Sequence, residues 1–318
     1  MKTIAAAALI CLLVALALPL LLAPSGQQEA SPSPAGPSAD AETEFTVLTG
    51  GEVLTVTMAD WLPGVVAGEM PALFEPEALE AQAIAARSYI LSRTRTINAS
   101  HPQADVCDDP GCCKAHSDEA ALRASWGDKY DEYWAKMLSA VRGTDGQYLE
   151  YGGEPILAAF HSSSAGMTED SGEVWNSLPY LVSVSSPETA EDVPDYVTTV
   201  ELSSEQFESA LRDAYPYISL DADPALWVEG TELDSSGRVA SLRVGGQDIP
   251  GTEAREIFAL RSTAFELEYS GGVFTFTVTG YGHGVGMSQY GANVMAQDGA
   301  AYSEILTHYY PGAELVHV

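Results

Sequence analysis

The chain has 318 residues, which is enough for one large domain or two modest ones with a substantial core. Its 45 acidic and 14 basic residues give a formal net charge of -31. This balance argues against nucleic acid as a ligand, because phosphate binding requires a basic surface.

The N-terminus carries an uninterrupted apolar run over residues 4–23, directly after Lys2. About twenty apolar residues span a bilayer, and the end of the run is a poor cleavage site. We therefore predict an uncleaved single-pass anchor at residues 1–23, with the rest of the chain outside the cytoplasm. A cleaved signal peptide remains the alternative.

Residues 24–44 are rich in Pro, Ser and Ala and are predicted to tether the anchor to one domain at residues 45–318. Within that domain helical and strand patterns are intermixed without regular alternation, which predicts an α+β fold with an extended cleft. The predicted strands are 45–57 and 147–160 as hairpins, then 180–186, 197–202, 239–244 and 273–279. The predicted helices are 58–68, 74–93, 118–126, 130–141, 206–215, 252–260, 287–296 and 302–309.

Glu69 lies among apolar residues just before the long predicted helix. Its neighbours Val65, Val66, Met70 and Phe74 could form an apolar wall, which would raise the pKa of the carboxyl group. A glutamic acid with a raised pKa suits general acid catalysis at a glycosidic bond. Spacing alone favours an ordinary capping or surface role for this residue.

A short loop, HPQADVCDDPGCC, holds His101, Cys107, Cys112 and Cys113, and His116 follows it. Three thiolates and an imidazole suit a tetrahedral zinc ion, and four protein ligands would make the site structural. Adjacent cysteines bridge each other poorly, and three cysteines leave one thiol over. A Cys107–Cys113 disulfide remains the competing interpretation.

Two loops rich in Gly and Ser, FHSSSAGMTE and GYGHGVGMSQYGA, are typical of walls that a polymer can approach closely. They offer hydroxyl groups and the polar side chains of His161, His283 and Gln289. Flat faces on which sugars could stack are offered by Trp175, Tyr180, Tyr281 and Tyr290. Simple turn chemistry would explain the glycines equally well.

Three long segments, in order, resemble the stage II sporulation protein D/LytB family of bacterial cell-wall proteins. They are WLPGVVAGEMPALFEPEALEAQAIAARSY, AAFHSSSAGMTEDSGEVWNSLPYLVSV and GYGHGVGMSQYGANVMA. The resemblance implies a lytic transglycosylase that cleaves MurNAc–GlcNAc bonds of peptidoglycan to 1,6-anhydroMurNAc ends during engulfment, with Glu69 as the catalytic acid and base. It also favours zinc at His101, Cys107, Cys112 and Cys113.

The same resemblance implies functional roles for Arg87 and Tyr180. With the two small-residue loops, the expected substrate-binding set is Arg87, Ser163, Ser164, Gly166, Tyr180, His283 and Gln289. Members of the family often carry lysine where this chain has Glu80 and Val182. A basic contact to glycan is therefore either missing here or supplied elsewhere.

The expected partners are peptidoglycan glycan strands, the membrane, and, by resemblance, a cell-wall amidase and other engulfment proteins. The LytB branch is associated with enhancing an amidase, so a non-enzymatic glycan-binding protein is the alternative function. A zinc hydrolase is a third possibility, which would lose activity without unfolding when its metal is removed.

Overall fold

The computed structural model describes residues Ser38–Val318. The predicted anchor and residues 24–37 of the predicted tether lie outside this range. Within it, no helix is both long enough and apolar enough to cross a bilayer.

The described chain mixes helices with short strands, which confirms the α+β class. Its helices are α1 (Ala39–Glu42), α2 (Met58–Glu69), α3 (Pro76–Arg93), α4 (Glu119–Trp126), α5 (Tyr130–Gly143), α6 (Ser171–Val174), α7 (Ser204–Ala214), α8 (Gly251–Ile257), α9 (Gln289–Gln297) and α10 (Tyr302–Tyr309). Its strands are β1 (Glu44–Thr49), β2 (Glu52–Thr57), β3 (Val106–Cys107), β4 (Gln147–Tyr151), β5 (Glu154–Pro155), β6 (Phe160–His161), β7 (Val197–Ser203), β8 (Val228–Leu233), β9 (Val239–Val244), β10 (Gln247–Pro250), β11 (Phe265–Ser270), β12 (Val273–Thr279), β13 (Met287–Ser288) and β14 (Glu314–His317).

The strands form small sheets, most of them antiparallel. The strand orders are β2-β1-β3, β14-β4-β5, β10-β9-β8, β11-β12-β7 and β13-β6. Strand β3 joins β1 in parallel, and β13 joins β6 in parallel. The parallel pairs are only two residues long, and both bring distant parts of the chain to the cleft described below.

Helix α3 is the centre of the larger hydrophobic core. Pro76 occupies its first turn, where the missing N–H costs nothing, and every residue from Ala81 to Ile90 is buried. Helices α2, α5, α9 and α10 and strand β4 all pack against it. Its many alanines allow these neighbours to approach closely, so no face is left to solvent.

A second hydrophobic core lies within residues 197–279. Phe207 of α7 stacks on Phe274 of β12 with ring centres 3.9 Å apart, and Trp227 stacks on the same Phe274 at 5.7 Å. The segment begins in β7 and ends in β12, which are neighbouring strands. Its two ends lie side by side, since Val197 pairs with Thr279.

The fold begins before the predicted start at Phe45. Asp40 of α1 is buried, and its two carboxylate oxygens accept hydrogen bonds of 2.8 and 2.7 Å from Nε and Nη2 of Arg87. The Arg87 Nη1 group donates to the carbonyl oxygen of Gln147 at 2.8 Å. The last residues of the predicted tether are therefore part of the domain.

Two predicted strands differ from the structure. Residues 180–186 form no strand, because their backbone pairs only at single points, as where Thr168 N–H donates to Val184 O and Ser186 N–H to Gly166 O. The predicted strand at 154–160 is split into β5 and β6, and the chain between them is irregular.

Replacing Asp40 with Asn should destabilise the domain by about 3–5 kcal/mol, because it leaves the buried Arg87 guanidinium without its counter-charge. Urea denaturation measures the change in the free energy of unfolding. Arg95→Gln is the matched control. Its ion pair with Glu154 is exposed, so a change below about 1 kcal/mol is expected. Equal effects of the two variants would contradict a structural role for Arg87.

Candidate active site

One cleft of about 830 Å³ brings together several of the polar groups singled out in the sequence. It is bounded by the end of α2, the C-terminal half of α3, the cysteine loop, β6 and the glycine loop after β12. Its lining includes Glu69, Tyr89, Arg93, Cys112, Cys113, Lys114, Ala115, Phe160, His161, Trp175, Tyr281, His283 and Gln289.

Glu69 is the last residue of α2, and its carboxyl group faces this cleft. Burial raises its pKa above the ordinary value, against the opposing effects of the Lys114 charge and of hydrogen bonds from Ala115 and Gln289. Its Oε1 atom accepts a 2.8 Å hydrogen bond from the backbone N–H of Ala115. The negative end of the α2 dipole acts in the same direction as burial. The site therefore favours the protonated acid, as the apolar sequence around Glu69 predicts.

Lys114 is a cleft residue that the sequence analysis did not identify. Its Nζ atom lies 3.6 Å from the centre of the Phe160 ring and 4.7 Å from that of Tyr89. Burial lowers its pKa to about 8, and the nearby Glu69 charge opposes that shift. Lys114 directly follows the two cysteines, but no pattern in the sequence shows that this loop folds back onto Glu69.

Two imidazoles occupy the opposite wall in their neutral forms. Burial, assisted by the charge of Lys114, lowers the pKa of His283 to about 3, and burial also holds the pKa of His161 well below its usual range. His161 Nδ1 lies 3.2 Å from the Val285 carbonyl oxygen and Nε2 lies 2.7 Å from Ser164 Oγ. Nδ1 therefore donates to the carbonyl group and Nε2 accepts from the hydroxyl group.

Among the expected substrate-binding residues, His283 and Gln289 do line the cleft. Arg87 does not, because its side chain is 1% exposed and bound to Asp40. Tyr180 is also buried, and its hydroxyl oxygen accepts a hydrogen bond from the backbone N–H of Leu157. Arg87 stabilises the core and Tyr180 supports the wall, so the expectation of direct contact with substrate is corrected for both.

Ser163, Ser164 and Gly166 also fall outside the cleft lining. Ser163 is buried and its backbone pairs with Tyr281. Ser164 gives its hydroxyl group to His161 and its N–H to Glu188 at 2.6 Å. Gly166 has a φ of 89° and is exposed. Ser163 and Ser164 hold the wall in place from behind, which corrects their assignment as substrate contacts. The assignment of the exposed Gly166 stays a prediction.

The cysteine loop brings four possible metal ligands together. One ligand atom each from His101, Cys107, Cys112 and Cys113 lies within 4.8 Å of the others, and all three cysteines are free thiols. His101 Nδ1 lies 3.0 Å from the Ala104 carbonyl oxygen, which leaves the lone pair on Nε2. Nε2 faces Cys113 Sγ at 3.2 Å and also lies 2.9 Å from Asn98 Nδ2. Soft sulfur donors and an oriented imidazole fit zinc in a closed tetrahedral site.

His116 is not part of this cluster. Its ring stacks on Trp61 with centres 3.7 Å apart, and it lies over Gly64, where an added Cβ atom would stand 2.3 Å from His116 Nε2. Of the five residues considered in the sequence, the structure therefore groups the other four.

The sequence pattern of the stage II sporulation protein family matches residues 49–151. Stage II sporulation protein D of Bacillus amyloliquefaciens is 37% identical over 265 residues, covering 83% of this chain and 75% of that protein. Its counterpart in Bacillus subtilis has the same identity and coverage. The amidase enhancer of B. subtilis is 29% identical over 312 residues, covering 80% of this chain and 40% of that protein.

The α+β fold, the cleft and these relatives define a sporulation protein with a role at the cell wall. The chain belongs to the stage II sporulation protein D family.

Replacing Glu69 with Gln should raise the melting temperature at pH 7. The pKa of Glu69 is higher in the folded state, so the stability from its proton is complete below the unfolded pKa of about 4.3 and is lost as pH rises through the folded pKa. The difference between variant and parent should vanish near pH 3. Calorimetry over this pH range measures it, with Glu173→Gln at an exposed position as control. A variant that is less stable than the parent at pH 7 would contradict this account of Glu69.

Proposed function

We propose that the chain is a lytic transglycosylase. It cleaves MurNAc–GlcNAc bonds of peptidoglycan, preferably in stem-peptide-free glycan, during engulfment. Residues 1–23 anchor it in the membrane, and the catalytic domain faces the cell wall.

The observation that carries this proposal is the solitary carboxyl group. Among the described residues that line the cleft, Glu69 is the only Asp or Glu. Glycosidases that use water generally place two carboxyl groups across the bond. A single buried carboxyl group with a raised pKa instead suits a reaction in which the substrate supplies its own nucleophile.

In this reaction Glu69 acts first as acid and then as base. It protonates the oxygen that leaves from C1 of MurNAc, and the C1–O bond breaks. The resulting carboxylate takes the proton of the MurNAc C6 hydroxyl group as that oxygen bonds to C1. The products are a 1,6-anhydroMurNAc end and a free GlcNAc hydroxyl group. Glu69 is protonated again, and no water is consumed.

The surrounding groups support binding of a sugar polymer. Trp175 and Tyr281 are 40% and 46% exposed at the cleft, so their faces are available to sugar rings. Gln289 and the neutral His283 offer hydrogen bonds. The cleft therefore combines flat apolar surfaces with a few polar groups, as carbohydrate and other ligand sites generally do.

Replacing Glu69 with Gln should lower the rate of formation of anhydro products by about 10²–10⁴-fold, because the variant has no proton to transfer. Mass spectrometry of digested, stem-peptide-free peptidoglycan measures the products. Glycan binding should remain, since Gln keeps the shape of the side chain and its acceptor for Ala115. Glu173→Gln, which changes an exposed carboxylate beside the cleft, should leave the rate unchanged. Full activity of Glu69→Gln would overturn the mechanism.

The second candidate function is a non-enzymatic glycan-binding protein that enhances an amidase. Its support is the 29% identity with a protein named amidase enhancer. The same digestion distinguishes the two: this alternative predicts that the purified chain leaves the glycan unchanged and yet stimulates the amidase.

We also propose that His101, Cys107, Cys112 and Cys113 hold a structural zinc ion. Bound zinc would cross-link the loop between Asn98 and Ser117, which has almost no regular secondary structure of its own. The reaction above uses no group of this site, so the metal would act on folding alone.

Removing the metal with a chelator should lower the melting temperature by about 10 °C, and activity should fall in step with unfolding. Native mass spectrometry should find one zinc ion per chain, which Cys113→Ser removes and His116→Asn retains. A metal-free chain with an unchanged melting temperature would refute the structural role. Loss of activity without any change in stability would instead support the zinc hydrolase.

A further inference from the structure

Two cationic side chains share one aromatic ring at an edge of the cleft. The guanidinium carbon of Arg93 lies 5.1 Å from the centre of the Tyr89 ring, and Lys114 Nζ lies 4.7 Å from the same centre. Arg93, Lys114 and Tyr89 all line the cleft, beside Glu69. The aromatic faces hold both cations in place and exclude part of their water.

Neither cation forms a direct ion pair with a carboxylate within the described chain, although Glu69 lies near Lys114. Arg87, Arg212 and Arg243 all lie within 4 Å of an acidic oxygen, whereas Arg93 and Lys114 form no such pair. The Nε atom of Arg93 is buried and has no hydrogen-bond partner among the described residues. In a chain of net charge -31, two such cations around one cleft indicate a ligand with negative charge.

We propose that Arg93 and Lys114 form a subsite for the carboxylate of an acidic sugar. Under the proposed function, on which this inference rests, that group is the lactyl carboxylate of stem-peptide-free muramic acid. Arg93 offers a planar set of N–H donors and Lys114 a compact charge, and both can donate to a carboxylate.

The position of the pair fits this assignment. The lactyl group is attached to the same sugar ring whose C1 atom Glu69 must reach, so the carboxylate stays within one ring of the acid. When a stem peptide is present, the lactyl carboxylate becomes an uncharged amide and loses its attraction to the two cations. The subsite therefore gives a physical basis for a preference for stem-peptide-free glycan.

Calorimetric titration can test the subsite with two matched ligands. One is a tetrasaccharide of alternating GlcNAc and MurNAc with free lactyl carboxylates, and the other is its lactyl methylamide. All proteins carry Glu69→Gln so that no ligand is cleaved. We expect the acid to bind about tenfold more tightly than the methylamide, as a charge-assisted hydrogen bond would give. This advantage should shrink as salt is raised.

Substitutions of Arg93 and Lys114 test whether these two side chains cause the tighter binding of the acid. Arg93→Gln and Lys114→Gln should each remove most of the advantage of the acid and weaken the methylamide far less. Arg93→Lys should retain part of it. Arg95→Gln is the matched control, because Arg95 is exposed outside the cleft and the charge change is the same. If Lys114→Gln fails to fold by circular dichroism, the two Arg93 variants decide the question.

Equal affinities of the parent for acid and methylamide would overturn the subsite, and so would an equal loss of both ligands in Arg93→Gln. A peptide-bearing tetrasaccharide that binds as tightly as the free acid would overturn the assignment to the sugar carboxylate. The readout is binding alone. Absence of anhydro products would therefore count against the proposed function and leave this test intact.

Discussion

The burial of helix α3 from Ala81 to Ile90 is the constraint on which the rest of the structure depends. A buried helical stretch must satisfy any polar group that it carries, and this one carries Gln82, Arg87 and Ser88. Arg87 binds Asp40, and Ser88 accepts from the Leu149 N–H. Gln82 Oε1 accepts a long hydrogen bond of 3.5 Å from Gln289, while its Nε2 has no partner among the described residues. The N-terminal turn, strand β4 and the cleft wall are thereby all attached to one helix.

The electrostatics of the cleft follow from the same burial. Loss of water disfavours charge, so the pKa of Glu69 rises while those of His283 and Lys114 fall. Burial therefore favours the neutral forms of Glu69, His283 and Lys114, although the chain as a whole is strongly charged. Under the proposed function, the raised pKa of Glu69 is what a proton donor to a glycosidic oxygen requires.

Sequence patterns predict best those features that depend on residues close together in the chain. The first hairpin, helices α2 and α3 and the grouping of His101 with the three cysteines all follow from spacing over short distances. The direction in which a side chain points was not available, and so Arg87 and Tyr180 were expected in the cleft although both are buried. Lys114 was missed for a related reason: it lies near Glu69 only because the loop after β3 returns to the end of α2, where the N–H of the next residue, Ala115, donates to Glu69 across 46 residues. The predicted strand at 180–186 failed because its pairing partners are irregular loops.

The segment at residues 197–279 has a separate consequence for how such a protein can change. Its first strand, β7, pairs with its last strand, β12, and Val197 lies opposite Thr279. The two ends of the segment therefore lie side by side. It also has its own aromatic core around Phe207 and Phe274. A module built in this way can be lengthened, shortened or exchanged during evolution without shifting the ends of the chain that it interrupts. The loops on either side, which form one wall of the cleft, would keep their spacing while the module acquired another task.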